Sequence, residues 1–232
     1  MNMKNYTHCI LTVMSFIVVT SNLGAAIVTY QISDANSSVS SSISPIGSGN
    51  FSASTLTVNG VTASASLGLT PPPDQGYFFF DGWSTGGIDT SKYYSFTITP
   101  NSGFQIDFST VAYTLSSEEA STYELRSSVD TFSSTLATHT LNPGVTRDQN
   151  TFADNLSLGV QTVPVTFRLY GYNSNLSEGL ANNDFAFGGD PGGDLSIFGT
   201  VSAVPEPHEY AVVTGIGLLL FSIYRRGRLP AL

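Results

Sequence analysis

Two arginines lie inside segments that alternate polar and apolar residues, Arg126 in 123–130 and Arg168 in 163–170. Side chains two residues apart on a strand point to the same face, so Arg126 and Asp130 are expected to share a face. Arg168 lies on the polar face of its own segment, and either arginine can pair with Asp130 or Glu124. The pattern predicts a structural ion pair among Arg126, Asp130 and Arg168 that steadies one face of a sheet.

The polar face of the second segment also fits carbohydrate recognition, because Tyr170 and Tyr172 continue it beyond Arg168. Sugars are bound by planar aromatic rings that stack on their C–H faces and by polar groups that recognise hydroxyls. Trp83, the one tryptophan, lies in the Gly-rich segment 80–87, a predicted loop, and loops often carry function. A lone tryptophan is also a common core or loop anchor. Trp83, Arg168 and Tyr170 are therefore candidate carbohydrate-binding residues.

A metal prediction concerns three aspartates in a stretch rich in Asn and Gly, namely Asp184, Asp190 and Asp194. Flexible loops that offer hard oxygen ligands suit Ca²⁺, although a solvated acidic loop explains the same residues. The segment 27–203 contains a single histidine, His139, which argues against zinc. Apart from structural Ca²⁺ we expect no cofactor.

Catalytic patterns are weak. A Ser-His-Asp triad would need His139, and no Gly-x-Ser-x-Gly segment accompanies it. Glu118 and Glu119 are adjacent in a predicted loop, and paired carboxylates arise by chance in so acidic a chain. We therefore expect a protein that is not an enzyme, and a glycoside hydrolase is the less favoured alternative.

The elements that position these residues are predicted to be strands. Apolar residues alternate with polar ones in several short segments separated by Pro, Gly and Asn, and none shows a helical period. The alternating residues are Val28, Tyr30, Ile32, Tyr94, Phe96, Ile98, Phe104, Ile106, Phe108, Val111, Tyr113, Leu115, Val163, Val165, Phe167, Leu169, Leu195, Ile197 and Val201. The parity slips at Ser109 and Thr110, which predicts a bulge or corner. The fold class is therefore all-β, a single antiparallel β-sandwich or jelly roll.

Composition excludes several classes of protein. The 232 residues are 11% charged, against about 25% in average soluble domains, and eight basic residues are too few for a nucleic-acid surface. Four of these eight and fifteen of the seventeen acidic residues lie in 27–203, which gives this segment a net charge of -11. The one cysteine, Cys9, lies outside it, so no disulfide is expected there.

Both ends of the chain read as targeting segments. Residues 1–26 contain a short basic start, an uncharged apolar run and the small residues Gly24, Ala25 and Ala26, the order of a secretory signal peptide cut by signal peptidase. At the other end, residues 210–224 are uncharged and precede Arg225, Arg226 and Arg228. A helix of this length spans only about 22 Å, short of the ~30 Å hydrocarbon core, and crosses it if the arginines snorkel.

The residues Val204, Pro205, Glu206 and Pro207 stand directly before that apolar segment. The proline-rich linker, short apolar helix and terminal arginines together resemble the PEP-CTERM sorting signal of Gram-negative bacteria that produce exopolysaccharide. The resemblance covers 204–228 and implies an exosortase as partner, transient anchoring in the inner membrane through the C-terminal helix, and cleavage near Pro205 to Pro207.

Segments within 93–199 also resemble PEP-CTERM passenger domains of jelly-roll type, among them 93–100, 123–130 and 166–172. This resemblance implies a fold rather than an activity. The expectation from the whole sequence is an exported structural protein of the cell surface or extracellular matrix, associated with exopolysaccharide. A non-catalytic carbohydrate-binding module is the alternative.

Overall fold

The computed structural model describes residues 26–32, 42–47, 49–63, 77–117, 121–142, 148–173, 185–188 and 193–205, with 215, 216, 218, 219 and 221. Within these residues the chain forms two antiparallel β-sheets, one turn of 3-10 helix, η1 (Ser128–Asp130), and helix at 215, 216, 218, 219 and 221. The predicted signal peptide lies outside them except for Ala26, where the first strand begins.

Sheet I contains nine strands among the described residues. In spatial order they are β3 (Pro45–Ile46), β1 (Ala26–Tyr30), β16 (Leu195–Ala203), β9 (Phe104–Ser117), β15 (Phe185–Gly188), β7 (Tyr77–Asp81) and β6 (Thr62–Ala63), with β12 (Asp148–Asn155) and β13 (Val160–Gln161) also paired to β9. The long strand β9 is therefore the centre of this sheet.

Sheet II contains seven strands in the described part of the chain. Their order is β11 (Thr135–Leu141), β10 (Ser121–Ser127), β14 (Val165–Tyr172), β8 (Tyr93–Pro100), β5 (Leu56–Asn59) and β2 (Ser42–Ile43), with β4 (Phe51–Ala53) also paired to β8. Both predicted arginine segments belong to this sheet, on the neighbouring strands β10 and β14.

One hydrophobic core joins the inner faces of the two sheets. Strand β8 shows the predicted period of two, since Tyr94, Phe96 and Ile98 are buried and the residues between them are half-buried. The ring of Phe96 stacks on Phe167 of β14 at 5.1 Å and lies 5.3 Å from Tyr30 of sheet I. Burying a side chain of this size contributes about 1.5–3 kcal/mol, so the alternating aromatics stabilise the pairing of the sheets. The prediction of an antiparallel β-sandwich is confirmed.

The parity slip in β9 is a β-bulge. Thr110 pairs with Phe198 and Phe108 pairs with Gly199, which leaves Ser109 as the extra residue. A Cβ atom on Gly199 would lie 2.6 Å from the carbonyl oxygen of Asp107, so the close approach at the bulge requires glycine. The bulge predicted at this position is confirmed.

Two details of the strand prediction are wrong. Val163 is 58% exposed and lies before β14, which begins at Val165, because Pro164 has no N–H for a ladder hydrogen bond. The segment after Ser127 turns into η1, so Arg126 and Asp130 do not share a strand face.

The C-terminal helix prediction for 210–224 lies mostly outside the described residues. The five residues described there are helical and exposed, including Ile216, Leu218, Leu219 and Phe221. Among the described residues, no helix is both long enough and apolar enough to cross a membrane.

Candidate functional site

The outer face of sheet II carries a group of aromatic and charged side chains. The pairing of β10 with β14 sets Arg126 directly opposite Arg168 and Glu124 opposite Tyr170. The turn 128–134 adds Phe132 to this face. We call the group the arginine platform and define it by Tyr93, Glu124, Arg126, Phe132, Arg168, Tyr170 and Tyr172.

Glu124 and Arg126 form the closed half of the platform. The Nε of Arg126 donates to Oε1 of Glu124 at 2.6 Å, and Thr135 donates its hydroxyl to the same oxygen. The other carboxylate oxygen accepts from the Tyr172 hydroxyl at 3.3 Å. Burial raises the pKa of Tyr172, and the negative charge of Glu124 raises it further. Because both oxygens of Glu124 have partners, the charge of Arg126 is compensated within the platform.

Arg168 forms the open half. Its guanidinium carbon lies 4.2 Å from the centre of the Tyr93 ring and 4.0 Å from the centre of the Phe132 ring. Both contacts are within the range of cation–π attraction, about 6 Å. Its Nε is buried without a hydrogen-bond partner, and among the described residues no carboxylate lies within ion-pair distance of this side chain. Arg168 is therefore held by two aromatic rings and lacks a counter-charge within the described residues.

A strained turn holds Phe132 over Arg168. Thr131 and Phe132 both have φ of 61°, a left-handed conformation that is costly for branched or bulky residues. Backbone hydrogen bonds fix it, from Phe132 N–H to the carbonyl of Ser127 at 2.9 Å and from Thr131 N–H to that of Ser128 at 3.1 Å. The Nη1 of Arg126 donates to the carbonyl of Phe132 at 3.0 Å. Arg126 thus helps to hold the Phe132 ring against Arg168.

Tyr170 is a buried member of the platform. The side chain is 1% exposed although it points away from the core cluster, of which it is not a member. Its ring meets that of Tyr93 edge-on at 5.7 Å, and the guanidinium of Arg126 lies 5.6 Å from its centre. The expectation that Tyr170 offers a free face to a sugar is therefore corrected, because neighbouring platform side chains contact it.

Of the two acidic partners considered for the arginines, Glu124 forms the ion pair and Asp130 does not. Arg126 pairs with Glu124, whereas Asp130 accepts a hydrogen bond from the backbone N–H of Ser134 at 2.8 Å. Hydrogen bonds from Ser134 hold the pKa of Asp130 below its usual range. Asp130 therefore fixes the turn that carries Phe132, and Arg168 takes part in no pair with it.

Trp83 belongs to the core and not to the platform. Its indole is 2% exposed, its Nε1 donates to the carbonyl of Phe80 at 2.8 Å, and its ring lies 5.1 Å from that of Tyr94. A ring enclosed in this way cannot stack on an external sugar. Of the two interpretations of Trp83, the structure shows the loop anchor.

A second polar cluster, which the sequence interpretation missed, connects the two sheets. The Nε2 of His139 on β11 lies 2.9 Å from Oδ2 of Asp154 on β12, and the Tyr113 hydroxyl on β9 donates to the same oxygen at 2.6 Å. The His139 ring stacks on Phe152 at 3.7 Å. We call Tyr113, His139, Phe152 and Asp154 the cross-sheet cluster. Its residues are far apart in sequence and carry no motif, so no local signal predicts their contact.

Comparison with known proteins assigns no family to the chain. No family model matches the chain, and no curated protein matches it. Solved structures similar to it include a mutant of a family 29 carbohydrate-binding module, at 13% identity and a TM-score of 0.28, covering 78% of this chain and 99% of that one. Another mutant of that module, complexed with mannohexaose, matches at 11% identity and a TM-score of 0.27, covering 77% and 92%.

A third similar structure is the enzymatically active domain of tailspike protein 4 of bacteriophage CBA120. It matches at 12% identity and a TM-score of 0.23, covering 67% of this chain and 19% of that one. At these identities and TM-scores none of the likenesses carries an argument about what this chain binds. The site must therefore be interpreted from its own chemistry.

The predicted Ca²⁺ ligands cannot be compared as a set, because Asp184 and Asp190 lie outside the described residues. Oδ1 of Asp194 accepts a hydrogen bond from the N–H of Ile32 at 3.0 Å, which ties the start of β16 to the end of β1. The described part of the chain contains no group of three or more His, Cys, Asp or Glu side chains placed to hold a metal. The Ca²⁺ site stays a prediction.

The sorting motif is described only at its start. Val204 and Pro205 are exposed, and the N–H of Val204 donates to the carbonyl of Gly103 at 2.9 Å. Glu206, Pro207, Arg225, Arg226 and Arg228 lie outside the described residues. The linker therefore leaves the sandwich directly beside the turn between β8 and β9.

Proposed function

We propose that the chain is an exported, non-catalytic structural protein of the cell surface or exopolysaccharide matrix, and that it holds matrix carbohydrate on the arginine platform. The observation that carries this proposal is the position of Arg168, a guanidinium between two aromatic rings with no carboxylate of the described residues within ion-pair distance. Buried polar atoms that serve only stability are mostly hydrogen-bonded, whereas the buried Nε of Arg168 has no partner in the part of the chain that the structure describes.

The chemistry of the platform fits a sugar polymer. Tyr93, Phe132 and Tyr172 are half-buried, so each ring retains exposed surface beside a polar edge. Arginine supplies several N–H donors in a planar fork that recognises pairs of oxygen atoms. A sheet face that combines rings and fixed donors can bind an extended chain without any group placed for catalysis.

The proposed export follows from the two ends of the sequence. A signal peptide over 1–26 would carry 27–203 across the inner membrane, and the segment resembling a PEP-CTERM signal over 204–228 would anchor it briefly before an exosortase acts. The positive-inside rule places Arg225, Arg226 and Arg228 in the cytoplasm and the sandwich outside, which agrees with the signal peptide. We further propose that the sandwich has the jelly-roll connectivity of such passenger domains.

One experiment tests both export and binding. Cells that produce exopolysaccharide and express the full chain would be separated into cytosol, membrane, culture fluid and polysaccharide fractions, with antibody detection of the protein. We expect a shortened protein in the polysaccharide fraction. The variant Phe132→Ala should be exported and shortened equally but released into the culture fluid, because one ring of the platform is lost.

The matched control is Val129→Ala, in η1 of the same turn, where the side chain is 45% exposed and is not one of the residues that define the platform. It should behave like the natural chain. Full-length protein confined to the cytosol would contradict export, and equal retention of the Phe132 variant would contradict binding by the platform.

A further inference from the structure

The charge of the arginine platform indicates which class of carbohydrate it would bind. We infer that the arginine platform selects acidic polysaccharide, and that Arg168 binds the carboxylate of a uronic acid unit. This inference rests on the proposed function and adds the ligand class to it.

The first argument is the local charge. Arg126 and Arg168 stand directly opposite each other on β10 and β14, an arrangement of like charges that destabilises a sheet unless an anion intervenes. Glu124 is the anion present, and its two oxygens are occupied by Arg126, Thr135 and Tyr172. The platform therefore carries one uncompensated positive charge where an external carboxylate would remove the repulsion.

The second argument is composition. The segment 27–203 has four basic residues, and Lys92 and Arg126 both lie within 4.0 Å of a carboxylate. Arg147 lies outside the described residues. Acidic residues are abundant in this segment, which contains fifteen of them. The side chains that lie against Arg168 are nevertheless two aromatic rings.

The third argument is geometry. The rings of Tyr93 and Phe132 lie close to the guanidinium, and its Nε is buried, so the approach left to a ligand is through the terminal Nη groups. These two nitrogens match the two oxygens of a carboxylate, and the rings exclude water that would weaken the contact. The remaining acidic residues repel a polyanion only over a short range, since the screening length at physiological salt is about 8 Å.

A test uses two forms of one polymer. Polygalacturonate and its fully methyl-esterified form have the same sugar backbone and differ in the carboxylate. Binding of the full chain, purified in detergent, would be measured for both by affinity electrophoresis at physiological salt. We expect the free acid to bind about ten- to a hundredfold more tightly than the ester, the range for a charged hydrogen-bonded contact.

Variants at position 168 test whether Arg168 causes the preference for the free acid over the ester. Arg168→Met should remove it, and Arg168→Lys should keep part of it, because lysine retains the charge but not the fork. Lys92→Met changes the net charge equally and should leave the preference intact. The Lys variant also guards against misfolding, since it keeps a cation beside both rings.

The outcomes separate the two proposals. Equal binding of acid and ester overturns the inference but leaves carbohydrate binding standing. Failure to bind either form, together with no retention in the polysaccharide fraction, overturns both. A preference for the free acid that persists in Arg168→Met overturns the role assigned to Arg168.

Discussion

The arginine platform and the cross-sheet cluster contain similar types of side chain but differ in whether the charged groups have partners. Each sets a charged or ionisable side chain against aromatic rings on a strand face. In the cross-sheet cluster Asp154 meets both His139 and Tyr113, so its polar atoms find partners on other strands. On the platform Arg126 is paired with Glu124, but Arg168 contacts the rings of Tyr93 and Phe132 and has no ion pair with any residue that the structure describes.

Whether a charged group has a partner within the fold indicates whether it serves stability or binding. A paired group buried between strands contributes to folding, and removing one partner leaves the other buried without compensation. A group with no internal partner contributes little to folding beyond its packing, and retains its capacity to bind something external. We therefore expect changes in the cross-sheet cluster to alter the free energy of unfolding, and changes at Arg168 to alter binding.

Alkaline pH should produce the largest loss of stability, because it acts on two tyrosines of the core and on Tyr113 of the cross-sheet cluster. Burial raises the pKa of Tyr30, Tyr94 and Tyr113, and the hydrogen bond to Asp154 raises that of Tyr113 further. The unfolded chain releases these protons near pH 10, whereas the folded chain retains them. Stability is therefore fully present below about pH 10 and is lost as pH rises above it.

The measurement is tyrosinate absorbance recorded together with far-ultraviolet circular dichroism during a titration to high pH. Ionisation of the buried tyrosines should coincide with loss of β-sheet signal. Complete, reversible ionisation near pH 10 in a protein that keeps its sheet signal would show that these hydroxyls are accessible, and would remove the distinction between the two regions.

Asp154→Ala should have the next largest effect. The substitution leaves the Tyr113 hydroxyl and His139 without their shared acceptor, at a site where the Asp154 side chain is 17% exposed. We expect a loss of about 2–3 kcal/mol in the free energy of unfolding, measured by denaturant titration. Asp107→Ala is the control, an exposed residue of β9 with the same change in charge, and it should be near neutral. Equal losses in the two variants would contradict the role of the cluster.

Local pattern predicted the core of the fold because side-chain alternation is itself a local property. The period of two identified the buried residues of β8 and β14, and the slip of one residue located the bulge at Ser109. Each of these features depends on neighbours two residues away, which the sequence displays directly.

The site depended on contacts that alternation does not encode. The alternation predicts a strand as far as Asp130, but the chain turns at Ser128 and brings Phe132 back over Arg168. The same alternation placed Tyr170 on the outer face without showing that neighbouring side chains cover it. The sequence predicts correctly that Trp83 lies in a loop. It does not show that the indole turns inward, where it contacts the ring of Tyr94. The position of Arg168 on the polar face is predicted correctly.

Arg168→Met should have the smallest effect on stability and is the sharpest test of the comparison. The variant loses cation–π contacts with Tyr93 and Phe132 but no ion pair, and it relieves the repulsion from Arg126. Methionine also preserves much of the hydrocarbon packing of the side chain. We therefore expect a change below about 1 kcal/mol in the free energy of unfolding, by the same denaturant titration. A loss as large as that of Asp154→Ala would mean that Arg168 serves the fold in the same way as the paired residues, and the unpaired charge would no longer point to a ligand.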